Sequence, residues 1–135
     1  MLGLFKSKKK TSQARILVVD DESDIVSTIE YRLKFCKFDV ITASNGKEGL
    51  EKAANEKPDL ILLDINMPVM DGHETLERLK NHPDLRDIPV IMLTAYSDKR
   101  DIAKAAEFGI ADYVTKPFDF TDLMEKISTA LENKR

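Results

Sequence analysis

The sequence predicts an α/β fold, an open five-stranded parallel sheet covered by helices on both faces. Two observations carry that prediction. From Arg15 onward, short β-branched apolar runs alternate five times with amphipathic stretches, the pattern of parallel strands joined by crossover helices. Three of those runs, beginning at Ile16, Leu60 and Val90, are apolar at consecutive positions, as strands buried on both faces have to be. The size agrees, because 135 residues with 42% hydrophobic and 33% charged side chains make one domain with enough apolar material for a core.

The strands are read at residues 16–19, 40–43, 60–63, 90–93 and 113–114. After the first, Ile25, Ile29, Leu33 and Cys36 recur at helical spacing, which makes Cys36 a packing residue. Gly109 is placed to end the fourth helix in the left-handed conformation. Asp119, with Asp122 three positions on, resembles an N-cap arrangement for the last helix, whose apolar stripe is Leu123, Ile127 and Leu131. Pro58, Pro89 and Pro117 flank strands, where a missing N–H does least harm.

Composition narrows the function. One cysteine excludes an internal disulfide framework and a cysteine-rich zinc site, and fits a cytoplasmic protein. No apolar run approaches the roughly 18 residues of a membrane span. Residues 1–15 hold Lys6, Lys8, Lys9, Lys10 and Arg15 without an acid, leaving 16 basic and 24 acidic residues in the remainder. The division expected is a basic, disordered tail over residues 1–13 and a folded domain over 14–135. The acidic body argues against nucleic acid as a partner of the folded domain, since phosphate contacts need clustered lysine and arginine. The tail suits weak contact with an anionic membrane, with about 1 kcal/mol per lysine and shallow insertion of Leu4 and Phe5.

In an open α/β sheet the chemistry lies beyond the carboxyl ends of the strands. Asp20 and Asp21 follow the first strand, Asp64 the third, Thr94 and Ala95 the fourth, and Thr115, Lys116 and Pro117 the fifth. With the strands ordered 2-1-3-4-5, the first and third are neighbours and the three aspartates converge. Two like charges about 4 Å apart repel by about 4 kcal/mol at an effective dielectric near 20, so a cation should sit among them. Mg²⁺ suits one or two carboxylates and retained waters. Such a site fits phosphoryl transfer, with Asp64 as carboxylate nucleophile, Asp20 and Asp21 as metal ligands, and Thr94 and Lys116 as donors to phosphoryl oxygens.

Asp20-Asp21, Asp64 within the run from Leu62 to Gly72 (LLDINMPVMDG), Leu93-Thr94-Ala95, and the run from Tyr113 to Phe118 (YVTKPF) together resemble the receiver domain of two-component response regulators over about residues 15–133. The resemblance implies a flavodoxin-like, doubly wound fold with five helices. It implies that Asp64 accepts a phosphoryl group from a histidine kinase or histidine phosphotransfer protein. It also implies that Mg²⁺ is held by Asp20, Asp21, Asp64 and the backbone carbonyl of Asn66, that Lys116 contacts the phosphate, and that the Lys116-Pro117 bond is cis. Thr94 and Tyr113 would form the switch, changing the partners of the face made by the fourth helix, fifth strand and fifth helix. Asn66 and Tyr96 would influence dephosphorylation.

Each residue alone has a plainer reading. An aspartate after a strand often caps a helix, a threonine in a strand is ordinary, and a lysine is usually a surface charge. Their shared position at the strand ends is what sets them apart. His73 and His82 are read as surface residues, and Met67 and Met70 as packing over the loop after Asp64. A flavin carrier would want an uncharged hydroxyl-rich first loop, a haloacid-dehalogenase-type phosphatase an Asp-x-Asp arrangement there, and a P-loop hydrolase a Gly-x-x-x-x-Gly-Lys motif. The chain offers adjacent aspartates and none of these. A signalling role rather than an enzyme is therefore expected, either a phosphorylation-gated binding switch, a passive phosphorelay carrier, or the receiver portion of a larger regulator.

Overall fold

Five strands and five helices alternate along the computed structural model, which describes residues 13–95 and 99–133. They are β1 (Arg15–Val19), α1 (Ser23–Phe35), β2 (Asp39–Ala43), α2 (Gly46–Glu56), β3 (Leu60–Asp64), α3 (Gly72–Lys80), β4 (Val90–Ala95), α4 (Lys99–Ala106), β5 (Asp112–Lys116) and α5 (Phe120–Glu132). The strands form one sheet in the order β2-β1-β3-β4-β5, with every pairing parallel. The order and the five helices agree with the sequence reading. β5 is longer than the two apolar residues that signalled it, because Lys116 pairs with Ala95 and carries the ladder to its end.

The continuous apolar runs have a simple cause. Strand side chains alternate between faces, so Leu17, Ile61 and Leu63 join one core with Leu76 and Leu79 of α3, while Ile16, Leu60 and Leu62 join another with Leu33 of α1 and Leu123 and Ile127 of α5. Burying each leucine or isoleucine contributes about 1.5–3 kcal/mol, and the central strands supply most of that. Local signals set the helix starts. Asn45 accepts from the Glu48 N–H, while the Glu48 carboxylate accepts from the Ser44 N–H and hydroxyl, a reciprocal cap. The bond from the Ser44 N–H first, and then the Lys52 ammonium at 3.1 Å, hold the Glu48 carboxyl below its ordinary range. Gly109 has φ 82° just past α4, as its spacing predicts.

Three local expectations need correction. Cys36 is exposed, because α1 ends at Phe35 and Cys36 turns away from the stripe formed by Ile29 and Leu33. Asp119 does cap α5 through the Thr121 N–H, but Asp122 points along the helix to Lys126 at 3.1 Å instead of returning to the cap. His73 is buried, not a surface residue, because the first turn of α3 faces α4, where its Nε2 lies 3.1 Å from Asp101. His82 is exposed, with its Nδ1 accepting from the Asp84 N–H. Met67 is buried and Met70 half-buried.

Residues 1–12 of the basic tail, and Tyr96, lie outside the described residues. Among the described residues no helix is long and apolar enough to cross a membrane.

Candidate functional site

The carboxyl ends of β1 and β3 lie side by side, Val19 pairing with Leu63, so the residues that follow them share one edge of the sheet. Asp20 and Asp64 are buried there at 1% and 4% exposure, whereas Asp21 faces solvent. Each of the three acids offers an oxygen to one spot, and these oxygens all lie within 4.8 Å of one another. Asp20 is held in place by accepting the Glu22 N–H through Oδ1 at 2.9 Å. Asp64 is fixed from behind. The Gly72 N–H donates to Ile65 O at 2.7 Å, and a side chain at Gly72 would collide with the backbone of Asp64 and Ile65.

Lys116 closes the cluster from β5. Its Nζ lies 2.8 Å from Asp20 Oδ2, 2.8 Å from Glu22 Oε1 and 3.2 Å from Asp64 Oδ1. The peptide bond between Lys116 and Pro117 is cis, as the resemblance implied. Burial pushes the lysine toward its neutral form, but close pairing with the Asp20 and Glu22 carboxylates and the Asp64 charge overcome that and hold the ammonium above its ordinary range. Asp64 moves the other way from most surface acids. Burial first, and then the charge of Asp20, push its carboxyl up to about 7 against the pull of Lys116.

One ammonium among four carboxylates leaves the site electrostatically short of positive charge. Asp20 Oδ2 makes the point: it is buried, with Lys116 close as an ion pair, yet it accepts no well-directed hydrogen bond among the described residues. A small hard cation fits this donor set, since all the atoms are oxygens, two of the carboxylates are rigidly placed, and Asp21 keeps one side open to water.

Thr94 is buried at the end of β4, one residue beyond Leu93, which pairs with Asp64. Tyr113 stands apart from the acids, paired with Met92 in β5; its ring is exposed, with Lys126 Nζ 5.8 Å from the ring centre. Asn66 is exposed on the loop after β3. The sequence reading brought together Asp20, Asp21, Asp64 and Lys116 correctly but missed Glu22 as a partner of the lysine. Glu22 stands in the same acidic loop, but nothing local in the sequence aims it at the end of β5.

Residues 16–128 match the response regulator receiver domain family. The alkaline phosphatase synthesis transcriptional regulatory protein PhoP of Bacillus subtilis is 43% identical over 117 residues, 87% of this chain and 48% of that protein. The transcriptional regulatory protein PrrA of Mycobacterium tuberculosis is 39% identical over 89% of this chain and 51% of its own length. The chain thus spans about half the length of the curated relatives it matches. Among solved structures, the CheY-like response regulator receiver domain protein of Methanospirillum hungatei superposes with a TM-score of 0.85 at 34% identity, covering 90% of this chain and 96% of that one. The chemotaxis protein CheY4 of Vibrio cholerae gives 0.83 at 29% identity, over 87% and 98% of the two chains. With the strand order, the converging acids and a match over most of its length, the chain belongs to the response regulator receiver domain family.

Proposed function

We propose that this protein accepts a phosphoryl group on Asp64 from the phosphohistidine of a histidine kinase or histidine phosphotransfer protein, and that the charge so added switches the binding of a protein target. The observation that carries the reading is the meeting of three aspartate oxygens within 4.8 Å beside the Lys116 ammonium. In the transfer, an Asp64 oxygen forms a bond to phosphorus as the histidine N–P bond breaks, and the imidazole leaves with the electron pair of that bond. Asp64 must be ionised to attack. Its burial opposes this, and Lys116 supports it.

Asp20, Asp21, Asp64 and the backbone carbonyl of Asn66 would hold Mg²⁺, which supplies the positive charge that the carboxylates and the phosphoryl oxygens both require. Lys116 exchanges one of its carboxylate partners for a phosphoryl oxygen. Thr94 supplies a hydroxyl to another, and the exposed ring of Tyr113 turns inward behind it. The target binds the face made by α4, β5 and α5. The domain comprises residues 14–135 in the cytoplasm, with the basic residues 1–13 as a tail able to make weak contact with an anionic membrane.

Transcriptional regulators such as PhoP and PrrA are about twice as long as the span they share with this chain. That supports a second reading in which the receiver serves a regulator with a separate output part. A passive phosphorelay carrier is disfavoured by the presence of both Thr94 and Tyr113 at the expected register.

Intact mass after treatment with acetyl phosphate tests the proposal. One phosphoryl group should be added with Mg²⁺ and none with EDTA or in Asp64→Asn. Labelling of Asp64→Asn at the same rate as wild type overturns it.

A further inference from the structure

His73 opens α3, and Asp101 lies in the first turn of α4. His73 is 8% exposed, and its Nε2 stands 3.1 Å from Asp101 Oδ1. The carboxylate oxygen is the acceptor of this contact and the imidazole Nε2 its donor. Nδ1 is buried and without a hydrogen-bond partner among the described residues. A buried polar atom without a partner is unfavourable, a penalty that an apolar side chain at position 73 would not incur. The polar contact this histidine makes in exchange is its bond to α4.

The two ends of that bond differ in how firmly they are held. α3 is tied to the phosphoacceptor strand itself, through the Gly72 N–H on Ile65 O and the close approach of Gly72 to the Asp64 backbone. α4 has little buried apolar surface, since Ala105 is the one fully buried residue among its eight, so polar contacts, those of Arg100 and Asp101 included, carry much of what holds it. A hydrogen bond to a charged group is among the stronger polar contacts, and this one is largely shielded from solvent on the His73 side, so it contributes to locating this helix. α4 also begins four positions after Ala95, the residue following Thr94. The His73–Asp101 bond therefore bridges a helix fixed to Asp64 and a helix of the face read above as target-binding.

We infer that His73 is a positioning residue, a strap that holds α4 in its resting place, so that the strength of its bond to Asp101 sets how readily phosphorylation of Asp64 releases the α4 surface. The inference rests on the phosphoacceptor reading and adds to it a means of tuning. A weaker strap raises the population of the released form before any phosphate arrives, and so tightens binding of anything that favours that form.

The test uses the full chain and its His73→Leu, His73→Gln and Asp101→Ala variants. Hydrogen exchange over residues 99–106 is measured without ligand, and affinity for beryllofluoride, a phosphoryl mimic, is measured with Mg²⁺. His73→Leu and Asp101→Ala should speed exchange in α4 about tenfold while β1 and β3 are unchanged, and should tighten beryllofluoride binding about three- to tenfold. His73→Gln, whose amide can still donate to Asp101, should restore both toward wild type. Unchanged α4 exchange in both loosened variants overturns the strap, as does weaker beryllofluoride binding. Should His73→Leu fold poorly, His73→Phe, which keeps a buried ring but cannot donate, takes its place, because Asp101 has interactions of its own in the first turn of α4 and is read only beside a His73 variant. Failure of the wild type to bind beryllofluoride would instead remove the phosphoacceptor reading, while the exchange measurement would still judge the strap.

Discussion

Glu22 and Lys116 stand 94 positions apart in the chain, yet the glutamate Oε1 lies 2.8 Å from the lysine Nζ. The contact draws the ammonium across the mouth of the acid cluster, where it is shared with Asp20 and Asp64. Lys116 is the positive charge that lets these carboxylates stand together before a cation binds. Glu22 is half-exposed and contributes little by itself, as surface ion pairs do.

Lys116→Met should therefore destabilise the metal-free protein by about 2–4 kcal/mol, because two buried acids lose their compensation. Urea unfolding in EDTA measures this. The same titration in millimolar Mg²⁺ should recover most of the loss, and a variant as stable as wild type in EDTA would show that the lysine is not needed to hold the acids.

The raised carboxyl of Asp64 gives a pH dependence of definite sign. Its value of about 7 in the folded state lies above its ordinary 3.8, so folding favours the protonated form. That contribution is whole below about pH 4 and is lost as the pH climbs through about 7. Mg²⁺ competes with the same proton. The rise in melting temperature on adding Mg²⁺ should therefore be several degrees larger at pH 8 than at pH 5, and Asp64→Asn should erase most of that difference. Equal Mg²⁺ effects at the two pH values would contradict the assignment.

Thr94→Ala separates labelling from switching. The threonine is buried but lies one residue beyond the Asp64 register, so its loss should cost about 1 kcal/mol in stability and change acetyl phosphate labelling less than about threefold. With fluorotyrosine incorporated, the Tyr113 resonance should shift on beryllofluoride binding in the wild type and stay in place in the variant. A normal shift in Thr94→Ala would sever the two residues.

Gly72→Ala should be among the most damaging single changes away from the acids. The added methyl meets the backbone of Asp64 and Ile65, which cannot give way as a flexible side chain would. A loss of about 3 kcal/mol or more in urea unfolding is expected, with phosphoryl labelling reduced as Asp64 is displaced. Unchanged stability would mean that the loop after β3 adapts freely.

The parts of this molecule legible in its sequence were those governed by strong, local rules. Runs such as Leu60 to Leu63 could hardly be anything but central strands, and strand ends are where α/β sheets place their chemistry, so Asp20, Asp21, Asp64 and Lys116 could be assembled before any coordinates. What escaped depends on where an element stops or which way it faces. Cys36 fits the helical spacing, but the helix ends one residue earlier. Polar surroundings at a helix end made His73 look solvated, yet α4 against the first turn of α3 helps bury it. Glu22 was visible as an acid of the first loop, but its pairing with Lys116 joins positions 94 apart, which no local pattern encodes.

Asp64 terminates a strand whose successive side chains serve different cores, Leu62 toward α1 and α5, Leu63 toward α2 and α3. The two halves of the protein can consequently drift in sequence almost independently, each repacking its own interior, provided the strand between them keeps its course. A lineage could remodel one whole flank of helices for a new interlocutor and leave the seat of the chemistry undisturbed.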